Sequence, residues 1–215
     1  MTKEKMVPLL AILVIAGAVA WIYRSRSGSQ KFDLSPYHAL GAGTAEETAK
    51  LLGNKGSVLV ISEDTSESKN PAVDGQLQSF QATLQQNRTL SLVAVEKFKL
   101  SPMERMATGG AITRENFLKA LQGHPNIGAV VLFCAFPPLD PPDYAALKQS
   151  GVKVITASAC VPGYRKLVES QVIHLAIVPR FERPAPTGNS PKSLREWFEQ
   201  EFLVVSATNA TALPY

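Results

Sequence analysis

Gly128-Ala-Val-Val-Leu-Phe-Cys-Ala-Phe136 and Gly151-Val-Lys-Val-Ile-Thr-Ala-Ser-Ala-Cys160 are two unbroken apolar runs rich in β-branched residues, separated by a proline-rich turn and a helix-sized segment. Apolar runs without alternation fit strands that are covered on both faces, and a helix between two of them is the crossover of a parallel pair. The pair therefore predicts a β-α-β unit, and the rest of the chain adds units of the same kind.

Working outward, Thr44-Ala-Glu-Glu-Thr-Ala-Lys-Leu-Leu52 reads as a helix with an N-cap threonine, early glutamates and Gly53 as its stop. Val58 to Ser62 is a strand, and Gln76 to Gln86 is a helix with Leu77, Phe80 and Leu84 on one face. Leu90 to Val95 is a second strand, after which Lys97 to Ala111 is irregular. Thr113 caps a helix over 114–121 that leads into a strand at 129–135. Pro141-Pro142 opens a helix over 143–149, the strand at 153–158 follows Gly151, and a helix over 163–170 precedes a fifth strand at 172–178. The expectation is an α/β domain with one doubly wound, five-stranded parallel sheet in the order 2-1-3-4-5. A last helix starts at Ser190-Pro191, with Leu194, Trp197, Phe198 and Phe202 on one side. That stripe packs either on the sheet or against a partner or membrane surface, and an extended tail ends at Tyr215.

Composition is globular, at 45% hydrophobic and 19% charged. The net charge of +4 is concentrated around the first apolar segment, where Lys3, Lys5, Arg24 and Arg26 oppose only Glu4. The remaining 18 basic and 17 acidic residues nearly cancel, and no basic stripe with interleaved aromatics marks a nucleic-acid face. Val7 to Tyr23 carries no charge and closes on Trp21 and Tyr23 before Arg24 and Arg26, the pattern of a single transmembrane anchor. A cleaved signal peptide, with Ala18-Val19-Ala20 as its processing site, is the competing reading. The organisation expected is an anchor at 1–26, a linker at 27–37, the α/β domain at 38–180, and a proline-rich loop, helix and tail at 181–215. As a signal anchor it places the domain outside the cytoplasm, on a bacterial inner membrane.

The strings H-A-L-G-A-G-T-A-E-E-T-A-K-L-L-G-N-K-G-S-V-L-V-I-S (38–62), Q-S-F-Q-A-T-L (78–84) and T-R-E-N-F-L-K-A-L-Q-G-H-P-N-I-G-A-V-V-L-F (113–133) resemble the second lobe of type I periplasmic sugar-binding proteins. The likeness covers roughly residues 38 to 178. It implies one lobe of a fold that in the family closes two lobes over a ligand. Where family members commonly place a polar Asn/Asp pair after the third strand, this chain has Cys134, Ala135 and Phe136. These residues lack the paired donors and acceptors that orient a sugar.

Ligands of open parallel sheets sit at the C-terminal ends of the strands. There the sequence places Ser62, Glu63, Asp64 and Thr65 after the first strand, Phe136 after the third and Ser158 after the fourth, and these are the candidate ligand-binding residues. Cys134 and Cys160 fall at the same ends of neighbouring strands, either as a disulfide or as small buried thiols. His38, His124 and His174 lie on different elements, so no catalytic triad, metal site, dinucleotide fingerprint or phosphate loop is indicated. No cofactor is expected. The functional expectation is a non-enzymatic, membrane-anchored binding protein that acts as an accessory subunit beside other membrane-complex subunits or a homo-oligomer mate. The alternative is a tethered sugar or small-solute binder that completes its cleft with a second lobe.

Overall fold

The computed structural model describes residues 33–158, 162–180 and 191–213, together with Gly17, Ala18 and Trp21. The chain divides into a unit at 1–33 and a compact unit at 34–215. Of the first unit, Gly17, Ala18 and Trp21 are helical and exposed. The anchor expected at Val7 to Tyr23 otherwise lies outside the described residues, among which no helix is long and apolar enough to cross a membrane.

The second unit is built on a six-stranded sheet. In chain order its elements are α1 (Ser35–Leu51), β1 (Gly56–Glu63), α2 (Pro71–Gln85), β2 (Leu90–Phe98), α3 (Pro102–Thr108) and α4 (Arg114–Gly123). After these come β3 (Ala129–Leu132), α5 (Pro141–Ser150), β4 (Lys153–Ala157), α6 (Tyr164–Glu169), β5 (Leu175–Pro179), α7 (Leu194–Glu201) and β6 (Phe202–Val205). Strand order is β2-β1-β3-β4-β5-β6. The first five strands are parallel and stand in the expected order, and β6 pairs antiparallel with β5 through Ala176 and Val205 at one end and Pro179 and Phe202 at the other.

The sixth strand corrects the five-strand expectation. Phe202 fits the apolar period of the preceding helix, but Phe202-Leu-Val-Val205 is also a short β-forming run, and pairing with β5 prevails over helical continuation. The ring of Phe202 still stacks on Phe198, with centroids 5.8 Å apart. Phe198 and Phe202 join the apolar layer on one sheet face, so this end of the stripe packs on its own domain.

Three further expectations are corrected. The segment after Lys97 is not all irregular: Ser101 and Glu104 form a reciprocal capping box that starts α3, and Gly109 ends it at φ 61°. The tail is not extended, because a 3-10 turn at Ala210–Ala212 lays Leu213 fully buried in the core, and the Arg165 guanidinium donates to the carbonyls of Thr211 and Leu213. Thr44 is not an N-cap. It lies inside α1, which starts at Ser35, and its hydroxyl donates to the Leu40 carbonyl at 2.6 Å while Thr48 does the same to Thr44 at 2.7 Å. A hydroxyl that bonds back to the previous turn is accommodated inside a helix at a small cost in its stability.

Both faces of the sheet are apolar. Leu59, Ile61, Val130, Leu132 and Val154 pack with α4, α5 and α6, and Val58, Val60, Ala129, Val131 and Ile155 pack with α1, α2 and α7. On the second face α1 is buried over most of its circumference. A Cβ at Gly41 would overlap the Gln76 carbonyl of α2, and one at Gly43 would overlap the Phe198 ring of α7. The bareness of α1 is therefore what lets two helices close on it.

Between β4 and β5, His174 completes the register with its ring. Its backbone N–H donates to the Val154 carbonyl at 2.8 Å, and its Nδ1 accepts the Val154 N–H at 3.2 Å. Burial, with Lys153 adding, pushes its pKa from the ordinary 6.5 down to about 4.

Gly41→Ala is expected to lower stability by about 1–3 kcal/mol, read as a lower urea midpoint, because the overlap is with backbone that cannot rotate away. For His174 the unfolded chain takes up a proton that the folded protein refuses. Stability is expected to fall as pH drops from about 6.5 toward 4. His174→Asn, which keeps an acceptor but does not titrate, should flatten that part of a pH-stability curve.

Candidate functional site

The parallel strands bring the C-terminal ends of β1, β3 and β4 to one edge, and with them every candidate residue read from the sequence. The structure sorts these residues into two groups. At the C-terminal end of β1, Ser62 is fully buried and its hydroxyl has no partner among the described residues. Glu63 is gripped by the Arg105 guanidinium, with Nη1 3.0 Å from Oε2 and Nη2 on the other oxygen. Asp64 accepts the Ser66 N–H at 2.9 Å and lies 4.0 Å from Lys99. The hydrogen bonds from Ser66 hold its carboxyl below the usual range, with Lys99 and Lys97 adding. Thr65 donates to Asp74 at 2.7 Å and ties this loop to α2.

The second group lies beyond β3 and β4. Phe136 is buried, with its ring edge-on to Phe117 at 5.8 Å, and its N–H donates to the Tyr164 hydroxyl at 2.9 Å. That hydroxyl also lies 3.4 Å from both Thr156 Oγ1 and Ser158 Oγ, which are 3.2 Å from each other. Tyr164 is only 1% exposed and so acts as the hub of a small internal network. Thr156 further reaches the Cys134 carbonyl at 3.4 Å.

Cys134 is a buried free thiol, and the expected pairing with Cys160 involves a residue outside the described ones. The Cys134 sulfur accepts a hydrogen bond from the Ile112 backbone, and burial pushes its pKa up to about 12. That places it with the inert structural thiols rather than the nucleophilic ones.

Between the two sides a groove of about 540 Å³ opens above Phe136, Pro137, Pro138 and Tyr164, with Tyr144 on one wall and Ala107 and Thr108 of α3 on the other. Its walls are mainly ring and aliphatic surface, with Lys166 as the charged member. On α3 itself Met103 and Met106 are 81% and 88% exposed. Sequence reasoning missed Arg105, Tyr164 and this pair of methionines. A capping-box search through Ser101-Pro-Met-Glu104 would have found the helix, and with it the i, i+3 methionines. The proline-rich loop expected after the fifth strand lies outside the described residues over 181–190. Among the described residues no group of three or more His, Cys, Asp or Glu side chains could hold a metal.

Tyr164→Phe is expected to cost about 1–3 kcal/mol, because it strands the buried Phe136 N–H without an acceptor; a urea melt measures it. Cys134 should stay silent toward a thiol-reactive dye in the native protein and react only on unfolding.

No family model matches the chain, and no curated protein matches it. Solved structures do. The arabinose-binding protein AraP from Geobacillus stearothermophilus is 17% identical with a TM-score of 0.56, over 81% of this chain and 62% of that one. A sugar-binding protein of a sugar ABC transporter from Bacillus halodurans is 15% identical, with a TM-score of 0.55 over 81% and 63%. The glucose-galactose binding protein GanP from Geobacillus stearothermophilus is 15% identical, with a TM-score of 0.53 over 84% and 62%. This chain thus spans less than two thirds of the length of these proteins. With the strand order and the layers described above, the domain has the fold of one lobe of a type I periplasmic binding protein.

Proposed function

We propose that this chain is a non-enzymatic binding protein that works by docking another protein against the C-terminal edge of its sheet, as an accessory subunit of a membrane complex. One observation carries the reading. At that edge most of the polar side chains read from the sequence are committed to partners within the domain, while exposed apolar surface is offered by Met103, Met106 and Pro138, beside the groove over Phe136 and Tyr164. Glu63 belongs to Arg105, Asp64 to Ser66, Thr65 to Asp74, and Ser158 to Tyr164 and Thr156. Ser62 is too deeply buried to meet a ligand. Methionines are adaptable contact residues, and rings and prolines offer area at little entropic cost. The apolar run Val7 to Tyr23, with its aromatic and arginine exit, supports a single-pass anchor in an inner membrane with the domain outside the cytoplasm.

A second reading is favoured by the neighbours themselves. The solved structures that share the fold include arabinose- and glucose-galactose-binding proteins, and a further one, at 15% identity and a TM-score of 0.51, is a complex, XylFII-LytSN. On this reading the chain is a tethered sugar or solute binder whose cleft a second lobe completes.

Thermal melts in arabinose, glucose and galactose separate the two. A solute at 100 times its Kd adds about 2.7 kcal/mol of stability; the docking reading expects no shift with the protein alone. It also expects the double variant Met103→Glu/Met106→Glu to melt normally but to lose the subunits that co-purify with the wild type from its own membranes. Stabilisation by a sugar, together with retained subunits in the double variant, would favour the second reading.

A further inference from the structure

Strand β2 forms one edge of the sheet and is paired on one side with β1. The register slips in mid-strand: Leu92 pairs with Val58 and Ala94 with Leu59, so Val93 is the extra residue of a bulge and stands 47% exposed. The bulge exchanges the strand's faces. Leu90, Leu92 and Val95 pack with the layer of α1 and α2, whereas Ala94 and Phe98 pack with the opposite layer. Beyond the bulge, the Phe98 carbonyl accepts the Asp64 N–H at 2.8 Å and therefore points at β1. Main-chain groups alternate in direction along a strand, so those of Glu96 also point at β1 and those of Val95 and Lys97 point away from it. Among the described residues no strand or loop pairs with these outward groups. Such a row is a template for one more strand.

Beside this edge a crevice of about 460 Å³ lies between the end of β2 and α4. Its floor is made of the core residues Ile61, Phe98, Ile112 and Ala120, and Asn116 and Lys119 of α4 stand along it. It opens on the sheet face of Ala94 and Phe98, where every second side chain of an added strand falls. On the other face the exposed side chain at this point is Lys97. The charges nearby are unequally satisfied. Glu96 faces His124 Nε2 at 2.9 Å, and Lys99 donates to Glu67 at 2.6 Å. Lys97 adds to the field on Asp64, but neither Lys97 nor Lys119 forms an ion pair among the described residues. An added strand therefore meets one uncommitted ammonium group on each of its faces. A second copy of this chain is a poor match, because laying it antiparallel with Val95 opposite Lys97 sets Glu96 against Glu96.

We infer that the edge of β2 from Ala94 to Phe98 is a docking site for an extended acidic segment of another protein, which adds a strand through the main-chain groups of Val95 and Lys97. An apolar side chain of that segment fills the crevice over Phe98, Ile112 and Ala120, and its carboxylates meet Lys119 on the crevice face and Lys97 on the other. Main-chain bonds then give affinity and the crevice gives specificity. The surface is separate from the strand-end groove, and the inference does not depend on the docking reading.

The test uses the full-length protein in neutral detergent and a fluorescein-labelled, C-amidated peptide, Glu-Glu-Val-Phe-Val-Glu-Glu, followed by fluorescence anisotropy. The peptide is expected to bind at least tenfold more tightly than a version with lysine in place of every glutamate. Two further versions carry backbone N-methyl groups on alternate residues, one on the valines and the other on the phenylalanine and the nearest glutamate on each side. A strand bonds through one edge, so one of these versions should lose binding and the other keep it. Lys97→Glu/Lys119→Glu should weaken the acidic peptide at least tenfold. Val95→Pro removes an outward N–H without breaking the ladder to β1, and should melt cooperatively yet lose the peptide. If that variant fails to fold, amide exchange in the wild type decides: the peptide must slow exchange at Val95 and Lys97. No binding of the acidic peptide, equal binding of the two N-methylated versions, unchanged affinity in the lysine double variant, or protection centred elsewhere would each overturn the site. So would a dimer of the purified protein in which the Val95 and Lys97 amides are already protected, since a second copy would then hold the edge.

Discussion

The closeness of α1 to its neighbours is the constraint on which one whole layer of the domain depends. With Gly41 against the α2 backbone and Gly43 under the Phe198 ring, α1 serves as a thin spacer between two helices and the sheet. The arrangement weakens α1 as an isolated helix, since each interior glycine costs about 1 kcal/mol relative to alanine. Burial of its partners offsets this: Phe80, Leu84 and Phe198 are almost wholly enclosed, and Phe80 meets Phe133 edge-on at 5.4 Å. Around the contact, polar clamps fix the angle of approach. His38 and Ser79 share a hydrogen bond of 2.9 Å, and Arg195 on α7 reaches both Glu46 and Glu47 of α1.

From that layer the strand ends inherit their geometry. Thr65 is tied to α2 through Asp74, so the loop after β1 is positioned by the same helix that rests on Gly41. On the opposite face Tyr164 performs the equivalent task with one hydroxyl, joining the exits of β3 and β4. The two sides of the edge are thus held from two different layers, and α3 with its exposed methionines lies on the side of β1 and β2, pinned by Arg105 to Glu63. An edge whose polar side chains are mostly committed to one another has less to offer a sugar than an edge that leaves them free, and it is better suited to a partner that supplies apolar area.

How much of this was legible in the sequence follows from the range of the forces involved. Strand order came from local signals, because apolar runs such as Ala129–Leu132 and the helices between them leave few right-handed solutions. The start of α1 was missed because Thr44 carries the chemistry of a cap, and only burial reveals that its hydroxyl bonds back to Leu40. Phe202 was assigned to a helix because its period allowed it, whereas the deciding partner, β5, lies more than twenty residues earlier in the chain. The strand-end positions Ser62, Glu63, Asp64, Thr65, Phe136 and Ser158 were located correctly as an edge, but their partners Arg105 and Tyr164 were not. Those pairings depend on tertiary placement, which residue type and spacing alone do not encode.

The most direct test of the docking account is amide hydrogen exchange on the full-length protein, in its own membranes and again after purification in detergent. The account expects added protection in the membrane at residues 102–111 and 136–144, lost on purification, with the core strands unchanged. Identical exchange at those residues in both settings, or added protection confined to other surfaces, would contradict it.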